Sequence, residues 1–259
     1  MKMKNIYLSM LTAATLGMGL STTAAQAEDL SIGGDLGVAS QYVWRGVPQT
    51  ASKPAVQGDV GASLGGLSAG VWFSNAYGST APQFGGRDVV EFDWTLDYSG
   101  SIADSGVDYS VGYIGYTYLY DSAANFSEVN AGLSYGPVSL TGYYTVKDSK
   151  NKWYLKGDTW VDLGASTTVA GYDVSGTVSY AKWKKDAVNR AVVGGLDMFK
   201  SGINLVTLGV SKEMKAGDVA FTPSLTATIP VIKKASDGNR YIYGAAVTNE
   251  FVAAVNFAY

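Results

Sequence analysis

Cysteine and histidine are both absent from this sequence, and proline occurs only six times in 259 residues. Without cysteine there is no disulfide and no lipid attachment through a thiol, so stability has to come from elsewhere. Without cysteine and histidine the usual zinc and copper ligands are missing. A serine or water nucleophile also lacks the common base poised near neutral pH. No catalytic, cofactor-binding or metal-binding residue is therefore expected, and the chain does not read as an enzyme. No EF-hand spacing occurs, and Gly33-Gly34 and Gly61 to Gly66 precede no helical pattern that would make them phosphate loops. A strong excess of charge is missing too: 19 Lys and Arg stand against 22 Asp and Glu. That leaves no basic footprint for nucleic acid.

Long apolar runs are confined to the beginning of the chain. Lys2 and Lys4 precede the uncharged stretch Ile6 to Leu20, and Ala25-Gln26-Ala27 is a small-residue cleavage signature. The expected organisation is a cleaved secretory signal at 1–27 and a single domain at 28–259. Removing the signal leaves 17 basic and 22 acidic side chains, a formal charge of −5.

Glycine and aromatics are what the chain has in quantity: 32 Gly, 18 Tyr, 8 Phe and 6 Trp. Apolar and polar residues alternate with a period of two, the spacing of a strand with unlike faces. Val90, Phe92, Trp94, Leu96 and Tyr98 fall on one face of such a segment, with Glu91, Asp93, Thr95 and Asp97 on the other. Slipping the register by one residue would exchange aromatics for carboxylates, so the pattern fixes which face is which. Twelve strands are expected, starting near residues 32, 54, 67, 88, 106, 127, 138, 158, 173, 202, 218 and 247. Pro223 suggests a bulge in the eleventh. Short connectors alternate with long ones at 46–53, 76–87, 119–126, 148–157, 184–201 and 230–241. Trp44, Tyr77, Tyr118, Tyr120, Trp153, Tyr154, Trp160, Trp183, Tyr241 and Tyr243 lie near strand ends and read as interfacial girdles. The expected fold is all-β: a membrane-spanning, antiparallel up-and-down β-barrel of about 12 strands, with both termini on the short-turn, periplasmic side.

The chain stops on Asn256-Phe257-Ala258-Tyr259. Phe257 and Tyr259 look like the terminal signal read by the barrel-assembly machinery. A second match is Ser40-Gln41-Tyr42-Val43-Trp44-Arg45-Gly46-Val47-Pro48-Gln49, followed by Pro54-Ala55-Val56-Gln57-Gly58. Together with Gly70 to Asn75, Glu91-Phe92-Asp93 and Val111 to Tyr118, it resembles the opening of the TorF porin family. Gln41 stands where an acidic residue is expected, and Trp44 where Phe is commoner. The resemblance implies an outer-membrane barrel of a Gram-negative bacterium, with Ser40, Tyr42, Trp44, Arg45, Gly46 and Gln49 as its motif residues.

Charge supplies the rest. The six long connectors hold 12 basic and 5 acidic residues, suited to the phosphates of lipopolysaccharide. The inward face is expected to be acidic, with Glu91, Asp93, Asp97, Asp108 and Asp162 lining a pore. Arg45 and Lys147 are the inward cations, and Arg45 is expected to meet a carboxylate. Tyr42, two strand positions beyond Leu36 and Val38, is expected to face lipid with them. The function these features support is a passive channel for small hydrophilic solutes, weakly cation-preferring. The alternative is a non-conducting structural or surface-interaction barrel.

Overall fold

Alternation along each segment gives it one face for lipid and one for the interior, and closure of the sheet satisfies every backbone edge. The computed structural model describes residues 30–77, 86–184 and 199–259. The proposed signal at 1–27 lies outside the described residues. The strands are β1 (Ser31–Ala39), β2 (Val43–Trp44), β3 (Val47–Pro48), β4 (Ala55–Leu64), β5 (Leu67–Tyr77), β6 (Asp88–Ile102), β7 (Val107–Leu119), β8 (Phe126–Tyr135) and β9 (Val138–Lys147). They continue with β10 (Thr159–Val169), β11 (Tyr172–Lys182), β12 (Gly202–Ser211), β13 (Met214–Ala216), β14 (Val219–Pro230), β15 (Arg240–Ile242), β16 (Ala245–Val247) and β17 (Glu250–Ala258).

Twelve of these form a ring in which sequence neighbours pair antiparallel, from β1 through β4 and onward to β12, β14 and β17. The ring closes where β17 returns to β1, with Val38 opposite Val255 and Leu36 opposite Phe257. Tyr259 extends that seam, donating its N–H to the Gly34 carbonyl at 3.1 Å. Short turns gather at one end. In Gly136-Pro137 the glycine takes φ 55°, which leaves proline at a position its ring permits.

The faces sort as the alternation predicts. Trp94 and Leu96 are 55% and 52% exposed on the outside, and Glu91, Asp93 and Thr95 on the alternate positions are buried. Leu133, Leu140 and Leu163 form one outer row across β8, β9 and β10. A barrel that is apolar outside and polar inside is built for lipid.

Four expectations fail, each for a local reason. Tyr42 does not face lipid: β1 ends at Ala39, the chain leaves the sheet, and Tyr42 is 3% exposed inside. Pro223 introduces no bulge, because Thr222↔Asn256 through Thr228↔Glu250 is one continuous register. Its missing N–H instead thins the ladder between β12 and β13, where Lys212 N still donates to Pro223 O at 3.2 Å. The bulges lie elsewhere. In β9, Lys147 pairs with Ser127 while Thr145 pairs with Glu128, which leaves Val146 as the extra residue. The flip in parity puts Lys147 on the outer face with Ser127, so it is not an inward cation. Finally, Trp44, Tyr118, Tyr154, Trp160, Trp183 and Tyr243 are all buried and form no interfacial girdle. The outward aromatics are others, among them Trp94, Tyr98, Tyr113, Tyr135, Tyr172 and Phe251.

Candidate functional site

The buried aromatics converge at the long-loop end of the barrel, around the chain that leaves β1. Ser40 and Gln41 stitch the root of this segment to β17. Ser40 N donates to Ala253 O at 2.7 Å, and Ala253 N returns a bond to Ser40 Oγ at 3.0 Å. Gln41 Nε2 donates to Glu250 Oε2 at 2.9 Å. The far end is tied equally well. Tyr42 N donates to Thr50 Oγ1 at 2.9 Å, Gln49 N to Tyr42 O at 2.7 Å, and Tyr77 N of β5 to Gln49 O at 2.6 Å.

Between these ties β2 and β3 form a miniature hairpin, with Trp44 opposite Val47. Its two-residue turn is Arg45-Gly46, with φ of 46° and 81°. Two positive φ values in succession are the geometry of the tight turns that suit a hairpin's twist. Gly46 is needed twice over, because a Cβ there would also stand 2.8 Å from Leu205 Cδ1. Arg45 holds a left-handed conformation that an L side chain rarely adopts, so its surroundings have to compensate.

Glu128 of β8 does much of this. Arg45 Nη1 donates to Glu128 Oε1 at 2.9 Å, and Nη2 to Oε2 at 2.8 Å, a two-pronged ion pair buried on both sides. Arg45 Nη1 also donates to the Tyr243 hydroxyl at 2.5 Å. The guanidinium lies 4.6, 4.8 and 5.1 Å from the ring centres of Trp44, Tyr143 and Trp160. Desolvated contacts of this kind contribute about 1–2 kcal/mol each. Tyr116 donates to Glu128 Oε2 at 3.1 Å. Asp162 accepts from Trp160 Nε1 at 2.7 Å and Ser179 Oγ at 2.6 Å, which fixes the indole beside the guanidinium.

Trp44 is the apolar centre. It stacks on Tyr243 at 4.9 Å and meets Tyr116, Phe126 and Tyr154 edge-on. Tyr154 comes from the connector after β9, and Tyr243 from the turn between β15 and β16. Three connectors thus fold into the lumen together. Burial pushes the hydroxyls of Tyr154 and Tyr243 above the usual phenol range, so both remain protonated.

Below this plug the wall is small and polar. Asp35 stands directly opposite Asp59, and Asn256 Nδ2 donates to Asp35 Oδ2 at 3.4 Å. Asp97 lies flat against the wall because Gly112 opposite has no side chain to displace it. Of the residues expected to line a pore, Arg45 is in the plug, Asp162 supports it, and Glu91 and Asp93 are sealed beneath it. Asp97 lies lower in the lumen. Asp108 sits exposed at the short-turn rim, accepting from Ser101 Oγ at 2.6 Å, and Lys147 is exposed at the opposite rim.

The sequence reading gave Arg45 a carboxylate but not which one. Glu128 was legible only as an acid on the same face as Asn130 and Gly132. Tyr154 and Tyr243 carried no signal, since each lies in a connector that folds inward.

A closed antiparallel barrel, apolar outside, polar inside and plugged by its own loops, is an outer-membrane β-barrel. The chain belongs to a family of bacterial proteins of unknown function, Gcw_chp, whose model matches residues 23–229. The matched region includes the plug hairpin. No curated protein matches the sequence. Among solved structures, the outer membrane phospholipase A from Escherichia coli superposes with a TM-score of 0.45 at 11% identity, covering 88% of this chain and 90% of that one. LpxR from Salmonella typhimurium gives 0.44 at 11%, covering 87% and 99%. An anion-selective porin from Comamonas acidovorans gives 0.29 at 12%, covering 89% and 98%.

Proposed function

We propose that the protein is a gated porin-type channel for small hydrophilic solutes, held closed by the hairpin at 42–49. The observation that supports this most is the latch of Arg45 on Glu128. One hairpin, tied at both ends, is held in the lumen by one guanidinium and the rings around Trp44, above a wall of small polar and acidic residues. The stretch that resembles the TorF porin family, Ser40 to Gln49, is this same hairpin and its ties. In this reading both termini are periplasmic, and the basic connectors face lipopolysaccharide. Phe257 and Tyr259 are presented to the assembly machinery, and hydrated solutes, mildly favouring cations, pass when the hairpin moves.

Planar-bilayer recording on the refolded protein tests this. The wild type should rest mostly closed. Arg45→Met should raise the open fraction, and deletion of residues 42–49 should give a steady conductance. The dense aromatic packing around Trp44 favours the second reading, a non-conducting structural barrel. A folded deletion variant with no conductance would establish that reading instead.

A further inference from the structure

Two buried carboxylates lie beside the plug without a cation of their own among the described residues. Glu91 and Asp93 are 2% and 1% exposed, on successive inward positions of β6. Such positions are about 6.6–6.8 Å apart. Glu91 accepts from the Tyr118 hydroxyl at 2.9 Å through one oxygen. Its other oxygen and both oxygens of Asp93 have no hydrogen-bond partner among the described residues. The hydroxyl of Tyr42, 3% exposed, faces both acids from the plug side and lies within hydrogen-bonding reach of Glu91. Ser74 is directly opposite Glu91, Glu128 is near Asp93, and the remaining surroundings are aromatic. Asp93 is directly opposite Trp72 on β5 and Tyr116 on β7, and Tyr42 meets Trp72 edge-on at 5.4 Å.

Arg45 is the one fully buried cation among the described residues, and Glu128 already engages it on both prongs. Burying a charge without compensation costs several kcal/mol per ion, so two adjacent carboxylates must either hold protons or share a positive charge. Three unpartnered carboxylate oxygens, the adjacent Tyr42 hydroxyl and no nitrogen or sulfur donor match the chemistry of a hard divalent cation. We propose that Glu91, Asp93 and Tyr42 form an internal site for a divalent, oxygen-seeking cation of the Ca²⁺ type. Its flexible shell tolerates an irregular donor set completed by water, which Mg²⁺ accepts less readily. Tyr42 belongs to the hairpin and the two acids to the wall. The bound ion therefore pins the plug to β6, next to the Arg45 latch and independently of it.

The site can be tested whether or not the barrel conducts. The refolded full-length barrel is stripped with EDTA in a zwitterionic detergent and titrated calorimetrically with CaCl₂, MgCl₂ and tetramethylammonium chloride. The expected result is one Ca²⁺ per barrel, weaker Mg²⁺ binding, no tetramethylammonium binding, and a higher unfolding temperature with Ca²⁺. Loss of a supporting partner around a metal site costs about 10–100-fold in affinity. Asp93→Asn and Glu91→Gln, which remove direct ligands at constant shape, should therefore lose at least about 100-fold. Asp237→Asn, in an exposed loop, should leave binding unchanged. Absence of saturable Ca²⁺ binding by the wild type overturns the proposal, and so does full binding by a folded Asp93→Asn. Tetramethylammonium binding in place of Ca²⁺ also overturns it, because that identifies an aromatic cage. If Asp93→Asn fails to fold, Glu91→Gln and the wild-type titration decide.

Discussion

At the scale of single residues, the plug depends on an arginine in a strained position. Arg45 holds φ 46° and is surrounded by Glu128, Tyr243 and three rings. Removing one member of a buried ion pair leaves the other uncompensated and costs about 3–5 kcal/mol, whereas replacing both with apolar residues often costs little. Urea unfolding of the refolded barrel should therefore show Arg45→Met strongly destabilised and Arg45→Met with Glu128→Leu largely restored. A double variant no more stable than the single one would mean that the rings, not the ion pair, hold the hairpin. Gly46→Ala should cost about 1–2 kcal/mol from the left-handed conformation alone, plus the contact with Leu205. Arg45 is inward with an acidic partner, as expected. The β2–β3 hairpin carries it into the lumen, however, and not the alternation of β1, which ends at Ala39. The same alternation misplaced Tyr42, because parity counted along β1 means nothing once the chain leaves the sheet at Ser40.

At the scale of strands, a period of two is a strong signal between irregularities and a misleading one across them. It located the twelve barrel strands within about three residues, the usual precision of such boundaries. It failed at Lys147, where the extra Val146 reverses the faces, and no Gly or Pro next to Val146 marks that bulge. It also could not tell an aromatic beside lipid from one folded under a loop, since Trp44 and Trp160 lie near strand ends as a girdle residue would. Where the register is continuous the faces can be tested. Arg on the lipid face costs about 2–4 kcal/mol near the midplane and less toward the interfaces. Leu96→Arg and Leu140→Arg should accordingly impair folding into vesicles. Thr141→Arg should be milder, because Thr141 points inward and lies directly opposite Asp162. Equal losses for all three would contradict the assigned faces. The closing strand makes a separate demand. Phe257 pairs with Leu36, and Tyr259 bonds to Gly34 and reaches the Asp59 carbonyl at 3.1 Å. Deleting 257–259 opens the seam and exposes an edge, so the protein should be lost from the outer-membrane fraction.

At the scale of the whole molecule, acid and base are segregated. The connectors at the plugged end are basic, with Lys150, Lys152, Lys156 and Lys184 among them, while Asp35, Asp59, Asp97 and Asp162 point into the lumen. Glu128 neutralises Arg45, which lies near Asp162, and no other Lys or Arg is buried beside those four acids among the described residues. In a wet, confined lumen their fields overlap within a Debye length of about 8–10 Å, raising the local cation concentration. The basic mouth opposes this by attracting anions first, so the net preference should be mild. In the closed barrel Glu91 and Asp93 contribute little to it, because they lie sealed beside the hairpin; deleting 42–49 uncovers both and frees Glu128 from Arg45, which adds to the cation preference. The measurement is the reversal potential of the 42–49 deletion variant under a KCl gradient. It should indicate a modest preference for K⁺. Adding Asp59→Asn and Asp97→Asn should move it toward Cl⁻, whereas adding Lys184→Gln should chiefly alter conductance at low salt. If the two aspartate substitutions leave the reversal potential of an open channel unchanged, ions do not pass along the β4–β6 wall, and the acidic lumen has a structural role only.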